Sequence, residues 1–348
     1  MTTQTALLVQ KVGEPVSAVH DWPVPLPGSR QIQVKVAVAG LNPHDQKSRD
    51  LGFLINDNLP GIVGSDVVGV VTALGDDVKR FRVGERVVGQ ASIALGRNSK
   101  ALQQYAILEE DYAAVVQDGF SEDEYATLPT NLLAGVIGFF DKDGLNLPAP
   151  WSKQESSPSL SKSSILIIGG GSNCGRFATQ LAKLTNFGTI VVVGGSETEL
   201  KGYGATHVVD RHGGHDAVLA RIRAVVGDDL LYAFDAYNPP DSQHLAINAL
   251  SSSKTGKLAR LRWSGRNVSD ADIHPKAAGF ELKDVLGASD LKPEVAVPLW
   301  QHLPDYLAQG QIKPLKFVVE QGLDPEKVNK VLDAYRDGLP VVQTHFHL

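Results

Sequence analysis

Short apolar runs at Ala6–Val9 and Ile32–Val38 predict strands, and in the second run polar and apolar positions alternate as a half-buried strand requires. Between them Pro15, Pro23, Pro25, Pro27 and Gly28 are expected to block regular structure, and Gly61, Gly64, Gly69, Gly75, Gly84 and Gly89 then separate valine-rich stretches at turn-like intervals. The first third of the chain therefore reads as a compact lobe of short strands. The spacing changes between Tyr125 and Phe140, where Leu128, Leu132, Leu133, Val136 and Phe139 approach a helical period. From Asp141 to Ser164 the chain is rich in Ser, Pro, Lys and Gly, a linker or loop composition.

Beyond that stretch the pattern becomes strand (Ile165–Ile168), glycine-rich turn, amphipathic helix (Arg176–Leu184) and strand (Thr189–Val193), a βαβ unit. Candidate strands at Val208–Val209, Leu231–Phe234, Lys257–Arg262 and Asp284–Leu286 continue an α/β pattern. A helix near Val297–Ala308 and an extended segment at Leu315–Val319 complete the expected elements, and no internal repeat is visible.

Composition narrows the classes of function. With 348 residues, 43% of them hydrophobic, the chain can bury cores for two lobes. The net charge of -6 is scattered, so nucleic acid and anionic membranes are not expected partners, and a small-molecule ligand is. No apolar run approaches the roughly 20 residues that span a bilayer and no leader pattern precedes Gln10, so a cytoplasmic protein is expected. The single Cys174 allows neither an intrachain disulfide nor a cysteine-built zinc site.

The chemistry is concentrated at Gly169, Gly171, Ser172, Asn173, Cys174 and Gly175, directly after a strand and before a helix. Glycine there lets the backbone approach a pyrophosphate, and the first helical N–H groups stabilise its charge. Cys174 reads as a small packing residue rather than a redox group, since apart from Arg176 nothing nearby would stabilise a thiolate. The second strand ends in Val193-Gly-Gly-Ser-Glu. Ser196, Lys201 and Arg211 suit a 2′-phosphate and so favour NADP; Glu197 favours NAD or is simply a good residue for a helix start.

These segments, with Gly40-Leu-Asn-Pro-His-Asp-Gln-Lys47, Pro60-Gly-Ile-Val-Gly-Ser-Asp-Val-Val-Gly-Val71, Gly84-Glu-Arg-Val-Val-Gly89 and Gly204-Ala-Thr-His-Val-Val-Asp210, resemble the medium-chain dehydrogenase/reductases. The zinc-independent quinone and enoyl reductases match best, and Gly144-Leu-Asn-Leu-Pro148 with its Ser/Pro-rich insert is similar to fungal trans-acting enoyl reductases. The resemblance implies an α/β chain in which a Rossmann doubly wound parallel sheet (131–288) is inserted into a β-rich GroES-like catalytic domain (1–130 and 289–348), with the active site in the cleft between them. Zinc-binding members carry Cys within the segment matching Leu41–Asp45 and His-Glu where this chain has Ser65-Asp66, so no metal is expected.

The same resemblance implies an NADPH-dependent reductase of activated C=C bonds, in an enone or an enoyl thioester that a carrier can present. Quinone or carbonyl reduction and non-catalytic cofactor binding are the alternatives, and the protein is expected as a monomer or homodimer. Lys47 is the implied donor or proton relay, with Asn42 and His44 beside it as catalytic candidates. Thr130 and Asn131, at the start of a helix, are expected near the nicotinamide, a helix N-cap being the alternative reading of Thr130, with Tyr237, Asn238, Leu286, Gly287 and Ala288 at strand ends facing the cofactor. Ala134 departs from the threonine common in the family.

Overall fold

The computed structural model describes residues 2–152, 159–237, 244–262 and 269–348. Asn238 and part of the Ser/Pro-rich stretch, 153–158, lie outside the described residues. The chain divides into two compact units, one made of Met1–Thr130, Ala288–Asp305 and Pro314–Leu348, the other of Asn131–Gly287 and Tyr306–Lys313. Among the described residues no helix is long and apolar enough to cross a membrane.

The first unit is built on a seven-stranded sheet. Gln31–Gly40 lies at its centre, antiparallel to Asp66–Leu74, Tyr105–Glu109 and Gln343–His347, and Arg86–Gln90 and Ala113–Val115 extend the sheet beyond Asp66–Leu74. Because both faces of Gln31–Gly40 are largely covered, the alternation in its sequence does not produce a wet face, and even Gln33 is buried. The apolar core joins Leu7, Val34, Ile62, Val67, Val87 and Leu108 to Val328, Leu332 and Phe346 from the end of the chain.

Two expectations for the N-terminal part of the chain need correction. The proline-rich stretch does hold a strand, Ser17–Pro23, antiparallel to Thr3–Leu8. It pairs on one side only and carries Pro23 at its end, where the missing N–H costs no ladder bond. The predicted helix at 125–140 is two helices, Glu122–Ala126 and Pro129–Phe140. Pro129 fits the first position of a helix but not an interior one, which fixes the break.

The second unit contains a six-stranded parallel sheet. Its order is His207–Val209, Thr189–Val193, Ser164–Ile168, Tyr232–Asp235, Gly256–Leu261 and Phe280–Val285. Numbered along the chain this is 3-2-1-4-5-6, the doubly wound dinucleotide-binding order, in which ligands bind beyond the carboxyl ends of the first and fourth strands. Strands such as Ser-Ile-Leu-Ile-Ile carry continuous apolar runs because helices cover both faces. The helix after the glycine turn starts at Asn173, three residues earlier than its apolar period suggests. Ser172 is its N-cap, so Gly175 lies inside the first turn.

Candidate functional site

In the second unit the glycine turn is defined by how closely the backbone packs. Gly169 has φ of +88°, which a residue with a side chain adopts only under strain. A Cβ on Gly175 would lie 2.2 Å from the Gly169 carbonyl oxygen, so the helix can seat against the turn only without one. A Cβ on Gly171 would meet nothing closer than the Gly195 Cα at 3.6 Å. The turn thus has room at Gly171 and none at Gly175, which fits a cradle for a pyrophosphate at a helix N-terminus.

Polar side chains brace this cradle. Ser172 Oγ donates to the Gly169 carbonyl at 2.8 Å and accepts from Gly175 N at 3.0 Å, so its hydroxyl is engaged within the turn. Arg176 donates to the Gly171 carbonyl at 2.7 Å and to Asn173 Oδ1 at 3.2 Å, and its Nε reaches Glu199 at 3.0 Å. Neither Arg176 as a brace nor Glu199 was foreseen, although a basic residue in the first turn of that helix was the available signal. Cys174 is half-buried rather than core, with its Sγ 3.5 Å from Asn131 Oδ1. It sits at the lip of the turn, where the side chains of the first helical turn are not all covered by the sheet.

The end of the second strand is followed by charges of both signs, Glu197, Glu199 and Lys201 on the next helix and Asp210 and Arg211 after the third strand. Gly194 and Gly195 have φ of +78° and +89°, and the Arg211 side chain lies over Gly194, with its Cδ 3.3 Å from where a Cβ would be. Ser196 caps the helix Glu197–Tyr203. Lys201 Nζ is 2.7 Å from Glu197 Oε1, which holds that carboxyl below its ordinary range and commits part of the lysine's charge. Tyr237 is largely exposed and packs beside Gly169 across the point where the strand order reverses. Leu286 and Gly287 follow the strand Phe280–Val285, and an added Cβ on Gly287 would come within 2.9 Å of Ala134. The small residue at 134 therefore belongs to a close backbone approach.

In the first unit the helix Pro43–Leu51 delivers Asn42, His44 and Asp45 to a buried polar cluster. Asn42 N donates to Asp45 Oδ2 and Gly64 N to Asp45 Oδ1, both at 2.8 Å. Asp66, fully buried, receives the Thr130 N–H and hydroxyl on Oδ1 at 2.9 and 2.6 Å, and Asn42 Nδ2 and Gln343 Nε2 on Oδ2 at 2.7 and 3.1 Å. Burial pushes this carboxyl up to about 7 against the pull of the Thr130 and Asn42 hydrogen bonds. Thr130 is thus not the N-cap of its helix; it lies in the first turn, where Asp66 receives its orphan N–H. Ala288 is buried beside Ser289, which donates from its N–H and hydroxyl to Gln90.

His44 Nε2 lies 2.9 Å from Ser65 Oγ and 3.3 Å from Asp45 Oδ1. Burial holds the imidazole below its ordinary range; Asp45 opposes this, and the Lys100 and Lys47 charges add to it. Lys100 is 5% exposed and donates to the same Ser65 Oγ at 3.0 Å. Lys47, by contrast, is exposed on the helix, and among the described residues its ammonium makes no hydrogen bond or ion pair. Among the described residues no group of three or more His, Cys, Asp or Glu side chains is arranged to hold a metal ion. Ser65 lies in a segment that the family likeness marks, but as a missing zinc ligand and not as a polar partner, and Lys100 and Gln343 lie in segments that carry no motif.

Comparison with known proteins bears on the family and the fold. Residues 28–136 match the alcohol dehydrogenase GroES-like domain family. The chain is 30% identical over 263 residues to the trans-enoyl reductase grgB of a Penicillium species, covering 74% of this chain and 70% of that protein. It is 29% identical over 354 residues to the dehydrogenase orsE of Emericella nidulans, covering 97% of this chain and 95% of that one. The quinone oxidoreductase of Pseudomonas syringae pv. Tomato DC3000 has the same fold, with a TM-score of 0.77 at 20% identity over 99% of this chain and 100% of that one.

Proposed function

We propose that this chain, which belongs to the medium-chain dehydrogenase/reductase superfamily and is an oxidoreductase of its enoyl- and quinone-reductase type, uses NADPH to reduce an activated C=C bond without a catalytic metal. The substrate class is an enone or an enoyl thioester, free or presented by a carrier. The carrying observation is the donor set of the buried cluster: both oxygens of Asp66 accept hydrogen bonds from protein donors and His44 Nε2 faces a serine hydroxyl. A catalytic zinc needs three ligand groups with open lone pairs, and this arrangement does not offer them. Relatives named as trans-enoyl reductases support the alkene as acceptor.

The glycine cradle fits a dinucleotide, and a bound reduced nicotinamide supplies hydride. The residues of this chain do the rest. The open space at Gly171 and the N–H groups of the first turn at Asn173 receive the pyrophosphate. No acidic side chain stands at Gly194 or Gly195 to bind ribose hydroxyls, and Ser196 and Arg211 suit a 2′-phosphate. The enolate that would form on hydride arrival needs positioned donors; Asn42 is buried and committed to Asp45 and Asp66, and His44, part exposed, is the group of the cluster that a ligand can reach.

The test is oxidation of NADPH, and separately NADH, against enones, enoyl thioesters, quinones and aldehydes, with product analysis. A saturated product from an enone or enoyl thioester supports the proposal; turnover of quinones or aldehydes alone moves the substrate class. Arg211→Ala is expected to raise the KM for NADPH about tenfold and leave that for NADH unchanged, since one charged hydrogen bond to a phosphate is involved. Lys201→Ala is expected to do less, because Glu197 already holds its charge. Equal effects on both cofactors would remove the case for a 2′-phosphate at this position.

A further inference from the structure

Lys100 is a buried cation of the polar cluster, within hydrogen-bond distance of Ser65. Its backbone is fixed at the end of the short helix Gly96–Ser99, where its carbonyl accepts from Gln103 Nε2 at 2.8 Å. Its ammonium has three protons to donate, and among the described residues Ser65 Oγ is its one acceptor. Asp45, Asp66 and Asp290 are the acidic groups that face it, but none reaches ion-pair distance. Burying an ammonium with a single hydrogen bond is unfavourable, and methionine or leucine would avoid that desolvation at similar volume. Stability alone therefore does not account for a lysine here.

Ser65 Oγ connects this lysine to His44. The separations from Lys100 Nζ to Ser65 Oγ and from Ser65 Oγ to His44 Nε2 are 3.0 and 2.9 Å, both hydrogen bonds. His44 is the member of the chain that is 20% exposed, so its ring is the end a ligand can reach. Burial lowers the imidazole's affinity for a second proton and so favours its neutral form; Asp45 opposes this, and Lys100 and Lys47 add to it. A neutral imidazole is a weak acid by itself. It becomes an effective one when its other nitrogen receives a proton as the first is given up.

We propose that Lys100 is the proton source of the reduction, acting through Ser65 on His44, which delivers the proton to the substrate. The proposal rests on the reading of the chain as a C=C reductase. Once hydride has bonded to the β-carbon, the alkene's electron pair resides on the enolate. The His44 Nδ1–H bond breaks and its proton bonds to the α-carbon. Nε2 takes the Ser65 hydroxyl proton, and Ser65 Oγ takes one from Lys100, which is left as a neutral amine. The imidazole ends as the Nε2–H tautomer, for which Asp45 Oδ1 at 3.3 Å and Ser65 Oγ are acceptors. Reprotonation from solvent along the same chain restores the ammonium. Burial lowers the lysine's affinity for protons, which favours this transfer, while Asp45, Asp290 and Asp66 oppose that lowering.

The experiment uses the full chain with NADPH and an enoyl-CoA, comparing kcat against pH for wild type, Lys100→Met, Lys100→Arg, Ser65→Ala and the Lys100→Met/Ser65→Ala double variant. NADPH affinity and thermal midpoint are measured alongside. Lys100→Met is expected to lower kcat about 100-fold with NADPH affinity retained, and to abolish the fall in kcat at high pH. Arginine keeps the charge but does not give up its proton, so Lys100→Arg is expected to stay as low as Lys100→Met. The double variant is expected to lose no more than either single one, as members of one relay do. A Lys100→Arg enzyme with wild-type kcat and pH profile, or losses that multiply in the double variant, would overturn the relay while leaving the C=C reductase intact. If Lys100→Met does not fold, Lys100→Arg and Ser65→Ala decide the matter. Wild type without turnover of any enone or enoyl thioester would instead overturn the functional reading, and the relay with it.

Discussion

Replacing Asp66 by alanine is expected to destabilise the first unit by about 3–5 kcal/mol, lowering its thermal midpoint by roughly 10 °C. The carboxylate receives four donors: the Thr130 N–H and hydroxyl and the Asn42 and Gln343 side-chain amides. Without it they remain in a site closed to solvent, and unsatisfied buried donors cost far more than a lost hydrogen bond. These donors come from the loop before Pro43, the helix Pro129–Phe140 and the strand Gln343–His347, so one substitution loosens three segments. A midpoint within 2 °C of wild type, taken as about the size of a surface change, would show that the carboxylate is not the organising group.

The pH dependence has a definite sign. The folded carboxyl sits near 7, above the ordinary value of 3.8, so between those values the folded protein holds a proton that the unfolded chain has lost. This component of stability is present below about pH 4 and is lost as pH rises through about 7. Chemical denaturation at pH 5 and pH 8 measures it, and Asp66→Ala is expected to lack that component of the difference.

The second large effect is expected at the glycine turn, where two neighbouring substitutions should fail differently. Gly175→Ala places a methyl group 2.2 Å from the Gly169 carbonyl oxygen, so the helix Asn173–Leu184 must move. Overpacking of this kind costs about 1–3 kcal/mol, and both thermal midpoint and NADPH affinity should fall. Gly171→Ala meets only the Gly195 backbone at 3.6 Å or more. It should leave the midpoint unchanged while weakening NADPH binding tenfold or more, because the methyl group occupies the space a pyrophosphate needs. Fluorescence titration with NADPH beside thermal unfolding separates the two. Unchanged NADPH binding in Gly171→Ala would mean that the cofactor does not use this turn.

Much of the architecture was legible from local pattern. The parallel strands are continuous apolar runs, and the turn at Gly169–Gly175 announces itself by glycine spacing between a strand and a helix. The helix Pro325–Arg336 passed unnoticed although its signals were present: Asp324 as N-cap, Pro325 at the first position and Val328 and Leu332 on one buried face. The strand Gln343–His347 gave no such signal, since Gln343, Thr344 and His345 are polar yet buried. They are covered because that strand enters the interior of the sheet, a matter of long-range pairing.

The site divides along the same line. The residues alone determined the βαβ unit and its glycine turn, because these depend on neighbours in sequence whose steric and dipolar effects act locally; the doubly wound order was implied only by the family resemblance, since it rests on pairing between distant strands. Only the tertiary structure decided that Asp66 serves as a hub of hydrogen bonds, that Thr130 is its partner rather than a cap, and that Lys47 is exposed while Lys100 is buried against Ser65 and His44. Gln343 reaches Asp66 across 277 positions of sequence. The reason is physical: whether a polar side chain meets solvent, a partner or a ligand depends on which distant segment is folded over it, and no local period encodes that.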